Sequence, residues 1–421
     1  MIKDEKDSKE ISRRGFLELG SAAVAGVAGM LSVAETASAQ SSEKVSTGRS
    51  ARITDPGPTN HSLDSANPDI SVPPLTDSGG VPTFKYPFSL ANRRTFEGGW
   101  SREVTVRELP VSKSMAGVNM RLTAGGIREL HWHTAAEWAI MLYGSARITA
   151  IDNDGRSFVR DTSEGDLWYF PTGIPHSIQG LAPDGAEFLL VFDDGDFSEY
   201  ATVLLSDIVT HTPKEVLLKN FGMSQQAALN MREGELFIFQ APVPGPLWQD
   251  QKLAAGSLGS SSYDFSFRTR DLAPTKKTQG GEVLIVDSST FKTSTTVAAA
   301  IVTVHPGGLR ELHWHQHADE WQYYISGTGR MTVLAPGHRA RTMNFTAGDV
   351  GYVQQSLPHY VENTADTDLK FLEMFKTSRY QDLSLSEWLA HTPPELVMAH
   401  LNIEKSAYEM IPKNKAVILP E

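Results

Sequence analysis

A chain of 421 residues exceeds what a single hydrophobic core usually supports, so two domains are expected. With 40% apolar and 21% charged residues the composition is that of an ordinary globular protein and argues against a disordered or membrane-embedded one. A formal net charge of −12 argues against nucleic acid as a partner, so a small anionic substrate would need a local positive site.

Residues 1–39 read as a twin-arginine export signal, which predicts a periplasmic or secreted protein. Ser12-Arg13-Arg14-Gly15-Phe16-Leu17 precedes a charge-free Gly/Ala-rich run from Leu19 to Ala34, interrupted by no Lys or Arg, and Ala37-Ser38-Ala39 supplies a small-residue cleavage pattern. The run is too short to anchor comfortably, so no stable membrane insertion is expected after cleavage. The chain has no cysteine and must be stable on packing and ligands alone; a route that carries folded cargo suits a cofactor inserted before export. Residues 40–82, rich in Ser, Thr, Pro and Asp, are expected to form a loosely ordered arm.

Two copies of one segment follow, predicted as domains at 83–219 and 263–421, the second with a helical C-terminal segment. A linker at 220–262 carries Pro242, Pro244, Gly245 and Pro246. The period is near 182 residues: Arg128-Glu129-Leu130-His131-Trp132-His133 recurs as Arg310-Glu311-Leu312-His313-Trp314-His315. Gly165-Asp166 matches Gly348-Asp349, and Pro175-His176 matches Pro358-His359. His211-Thr212-Pro213 reappears as His391-Thr392-Pro393, a Thr N-cap with Pro at the first helical position. Within each copy, short β-branched and aromatic runs such as Glu187–Phe192 and Lys370–Phe375 are separated by turn residues. An all-β pair of duplicated barrels or sandwiches, with short helices after each, is therefore predicted.

Side chains two apart on a strand share a face, so His131 and His133 converge while Trp132 points out. Glu137 and His176 complete a set of three imidazoles and one carboxylate, and His313, His315, Glu320 and His359 repeat it. Such a mixed nitrogen and oxygen set leaves two positions open on an octahedral ion, which suits Mn²⁺ or Fe²⁺ better than closed tetrahedral zinc. Trp132 and Trp314 face outward as packing residues. Arg128 lies three residues before His131, so alternation points it away from the ions unless a bend or bulge at Gly125-Gly126 turns it in.

The glycine, His-X-His, Glu and Gly-Asp/Pro/His signals resemble the two cupin motifs, which implies a bicupin of two jelly-roll barrels. The hexapeptide at 128–133, Gly165–Pro171 and Phe192-Asp193-Asp194-Gly195 are more specific, and resemble oxalate decarboxylases from about Phe84 to Ala399. The resemblance implies an enzyme with two Mn²⁺ per chain that needs dioxygen as co-catalyst and converts oxalate to formate and CO₂. Removing one electron and one proton from oxalate weakens its C–C bond, which calls for a redox-capable metal and a carboxylate base. It further implies that Arg128 and Arg310 bind substrate, that Glu199, on a lid, is the acid–base residue and is catalytic together with Arg128 and with Glu373 near the second ion, and that the chain assembles as a trimer or hexamer. The family's lid reads Ser-Glu-Asn-Ser, whereas this one reads Ser198-Glu199-Tyr200-Ala201. An oxalate oxidase releasing CO₂ and peroxide is the alternative on the same scaffold, and a metal-free storage bicupin a more distant one.

Overall fold

Runs such as Asp166–Phe170 are buried along their whole length, because both faces of their sheets are covered. The longest strand, Glu137–Ile151, shows how the sequence divides its side chains. Glu137, Ala139 and Met141 enter the first barrel, while Trp138 and Ile140 enter a different core. In the computed structural model residues 57–229, 231–232 and 234–421 are described. The export segment, its cleavage site and the arm from 40 to 56 lie outside the described residues.

Each copy is a barrel of antiparallel strands. In the first, twelve strands belong to one sheet, since Glu137–Ile151 runs through a bend at Gly144 (φ +72°) and serves both halves. In the second, the corresponding strand is broken at Gly327 (φ +83°) into Glu320–Ser326 and Thr328–Ala335, and seven-stranded and six-stranded sheets result. Three cores follow. One fills the first barrel around Met120, Ile148 and Phe188, and one fills the second around Val302, Met331 and Phe371. A third lies between the barrels, where Trp138, Tyr169, Trp321 and Tyr352 pack together.

The sheets do not respect the order of the chain. Lys85–Pro87, ahead of the first copy, pairs with Asp349–Gly351 in the second barrel. Ser266–Arg268, which opens the second copy, pairs with Asp166–Trp168 in the first. The arm is more structured than its composition suggested. Asn60 caps the short helix His61–Ala66, and Asp69 and Asp77 bond Asn344 and Thr342 of the second barrel. The segment expected as a linker contains Ile238–Gln240, paired with Gly126–Arg128, and the helix Leu247–Ala255. The helices after each barrel begin one residue later than expected. Pro213 and Pro393 have extended ψ values of 134° and 128° and occupy the cap positions themselves.

Candidate metal centres and the first-barrel lid

The ligand strand Gly126–Trp132 pairs with His176–Gly180, and its register slips between Arg128 and His131. Three steps on one strand oppose two on the other, the signature of a bulge. The bulge reverses the alternation, so Arg128 and His131 both turn into the barrel. Leu130 takes up the slack and is 50% exposed. The inward turn of Arg128 thus comes from a bulge, as one of the expected alternatives had it, but one placed between Arg128 and His131 rather than at Gly125-Gly126. Those glycines serve close approach instead: a Cβ at Gly126 would lie 2.0 Å from the Gly98 carbonyl oxygen. The second barrel repeats the slip between Arg310 and His313.

With the strand so arranged, His131, His133, Glu137 and His176 place their ligand atoms within 4.8 Å of one another, and His313, His315, Glu320 and His359 do the same. All eight side chains are buried. Every imidazole is oriented by a backbone carbonyl that accepts from Nδ1, at 2.6 Å for His131 with Glu129 and 2.9 Å for His315 with Gln381. His133, His176, His313 and His359 follow the same pattern. Nδ1 therefore carries the proton, and each Nε2 presents a lone pair to the centre. Buried Nε2 atoms of His176, His313, His315 and His359, and Oε2 of Glu320, lack a hydrogen-bond partner. Burial and the neighbouring arginine push His131 and His313 well below the usual imidazole range, so both are neutral. Convergent bare lone pairs with a carboxylate fit a divalent cation, which would satisfy all of them at once.

Outer contacts differ between the centres. Glu137 accepts from the Trp168 indole at 2.9 Å, whereas Glu320 accepts from the Gln322 amide at 2.6 Å. The arginines differ more. Arg310 is saturated: Nε donates to Glu373 at 3.0 Å, and Nη2 to Tyr380 at 2.8 Å and to Asp382 at 2.9 Å. Lys415 also binds Asp382. Burial raises Asp382, but Arg310 and Lys415 hold it down at about 2. Burial raises Glu373, only partly opposed by Arg310. Arg128, by contrast, donates only a 3.4 Å bond to the Phe237 carbonyl and rests 3.9 Å over the Phe237 ring. Burial lowers it to about 10, with Glu199 opposing, so it stays charged.

The lid of the first barrel is the other asymmetry. Eleven positions separate Phe192 from Val203, against eight between the matching Phe375 and Leu383. Within the extra length, Ser198 caps the turn Glu199–Ala201 by accepting from the Tyr200 amide. Phe197 anchors it, stacked on Phe192 at 3.6 Å and edge-on to His133 at 5.7 Å. Glu199 is buried, accepts from Ser101 at 2.9 Å, and its amide donates to Glu103 at 3.2 Å. Burial pushes its carboxyl up to about 7, with Arg128 opposing and Glu103 adding. Ser101, Glu103, Phe237 and Asp382 were not among the residues singled out in the sequence. Only Asp382 left a signal there, as the acid nearest Glu199's place in the repeat, and the shorter second lid obscures it. Trp132 is half-buried, and Trp314 lies edge-on to Trp388 at 5.9 Å.

Cupin matches cover residues 88–228 and 267–408. The chain belongs to the cupin family. Among the relatives of this bicupin, the oxalate decarboxylase OxdC of Bacillus subtilis is 53% identical over 358 residues, covering 85% of this chain and 92% of the relative. A probable oxalate decarboxylase of Arthroderma benhamiae is 42% identical, covering 86% and 90%. A solved structure from work on the Mn(II) centres of the Bacillus subtilis oxalate decarboxylase superposes with a TM-score of 0.84 at 51% identity, covering 88% of this bicupin and 97% of that chain.

Proposed function

We propose that this bicupin converts oxalate to formate and CO₂ in its first barrel, with Mn²⁺ in both centres and dioxygen as co-catalyst. One observation carries the assignment: the first barrel alone places a buried carboxyl, Glu199, beside an arginine free of carboxylate partners. The relatives named oxalate decarboxylase and the Mn(II) centres of one of them support the substrate and the metal.

His131, His133, Glu137 and His176 would hold the first ion, and His313, His315, Glu320 and His359 the second. When bound, a redox-capable cation supplies Lewis-acid and one-electron chemistry. Arg128 binds a substrate carboxylate through its planar fork, and its charge offsets the acidic field of the chain. Glu199, ionised when the lid is open, accepts the substrate proton as the lid closes, and burial then stabilises the neutral acid. After CO₂ leaves, the same carboxyl returns the proton to carbon. Hydrogenoxalate thus becomes formate and CO₂ with no net gain or loss of electrons. Phe197 and the closed turn exclude water while this occurs.

In the second barrel Arg310 is consumed by Glu373 and Asp382, so we assign Arg310 and Glu373 to holding that centre rather than to binding oxalate. Export by the twin-arginine route and assembly as trimers or hexamers belong to the same proposal. Incubation with oxalate tests it, by comparing formate with hydrogen peroxide. Formate in excess is expected; a peroxide-dominated mixture would establish the oxidase instead.

A further inference from the structure

Tyr200 is 71% exposed, so burial does not hold it in place. Its ring lies 4.3 Å from the Arg94 guanidinium, which lies 4.0 Å from the Phe237 ring, and Phe237 in turn carries Arg128 at 3.9 Å. The four groups thus form a chain of alternating rings and cations. It runs from the outer surface of the lid to the arginine assigned to substrate. Arg94 is fixed by Glu235 at 3.0 Å, while its buried Nη1 has no hydrogen-bond partner.

This arrangement is built at one barrel only. Phe237 adopts φ +48°, costly for a bulky residue, and Glu129 holds it there by accepting from its amide at 2.6 Å. Val417 repeats this device in the second barrel, with φ +68° and its amide on Glu311 at 2.9 Å. The backbone feature is duplicated, but the aromatic ring is present only beside the longer lid.

We propose that Tyr200 is the latch of the first-barrel lid, a positioning residue whose ring on Arg94 keeps Glu199 closed over the reacting site. The role rests on the first barrel being that site. It gives the departure from the family's lid sequence a physical purpose: an aromatic face on a fixed cation replaces the family's asparagine at this position.

Hydrogen exchange at the amides of residues 199–201 in the metal-free chain tests the latch, with Tyr200→Ala and Tyr200→Phe compared. An exposed ring on a guanidinium predicts about two- to fivefold faster exchange in Tyr200→Ala, confined to the lid, and wild-type exchange in Tyr200→Phe, which keeps the ring. With oxalate and the loaded enzyme, the share recovered as formate should fall in Tyr200→Ala and return in Tyr200→Phe. Unchanged lid exchange in Tyr200→Ala overturns the proposal, as does equal loosening in both variants, or loosening that extends equally to His359–Asn363 in the second barrel. The exchange arm needs no turnover, so a chain that makes no formate would overturn the assigned reaction while exchange alone decides the latch.

Discussion

In the proposed mechanism the lid carries Glu199 between water and the buried site seen here, and two such positions would hold its proton with different strength. In water a glutamate titrates near 4.5; in the closed position burial raises it to about 7, opposed by Arg128, Ser101 and Arg94 and reinforced by Glu103. A difference of about 2.5 units at about 1.4 kcal/mol each makes closing more favourable by about 3 kcal/mol when the carboxyl is protonated. The full advantage is present below pH 4.5, where both positions are protonated. It is lost as pH rises to about 7, because the open form has given up a proton that the closed form still holds. Protection of the lid amides, corrected for intrinsic exchange, should therefore fall by roughly a hundredfold between pH 4.5 and 7 in the metal-free chain. A bound cation would pull the carboxyl down again, which is why the ion is left out. In Glu199→Gln the profile should be flat. A flat profile in the parent, or an equal slope in Glu199→Gln, would refute the linkage.

Glu199→Ala should cost roughly 10²- to 10⁴-fold in formate production while metal analysis still finds both ions, since no ligand is touched. Arg128→Leu removes a charge-assisted contact and should lower kcat/KM for oxalate by about 10- to 100-fold, read in steady-state assays. Arg310→Leu leaves Glu373 buried without its arginine and Asp382 with Lys415 alone, and should cost about 3 to 5 kcal/mol of stability in denaturant titration. The double variant Arg310→Leu/Glu373→Leu should recover part of that loss. Chelation should lower the melting temperature, because an ion at 100 times its Kd stabilises each site by about 2.7 kcal/mol.

The barrels and the ligand quartets were legible because their signals are local and occur twice. His131-Trp132-His133 needs only strand alternation to converge, and its recurrence at 313–315 rules out coincidence. The direction of Arg128 was not legible, since a bulge is a property of pairing: the extra residue is Leu130 or Glu129 only once His176–Gly180 lies alongside. The company of Glu199 was hidden for another reason. Ser101, Glu103 and Phe237 stand up to 98 positions away in the chain and carry no motif, so only the closed barrel assembles them. The same holds for Asp382, whose acidity depends on Arg310 and Lys415 arriving from opposite sides of the repeat.

The exchange of short strands, Lys85–Pro87 into the second barrel and Ser266–Arg268 into the first, bears on how the duplication arose and how it folds. In this arrangement each copy's donor strand lies on the other copy's edge. Two separate copies would complete each other by mutual donation, as a domain-swapped dimer does. Fusion of the two genes turns that encounter between molecules into one within a chain, where the effective concentration no longer depends on expression level. The edge at Asp166–Trp168 stays uncovered until Ser266–Arg268 has been made, so a product that stops before the second copy leaves that edge open to aggregation, whereas the donor for Asp349–Gly351 is made ahead of both barrels.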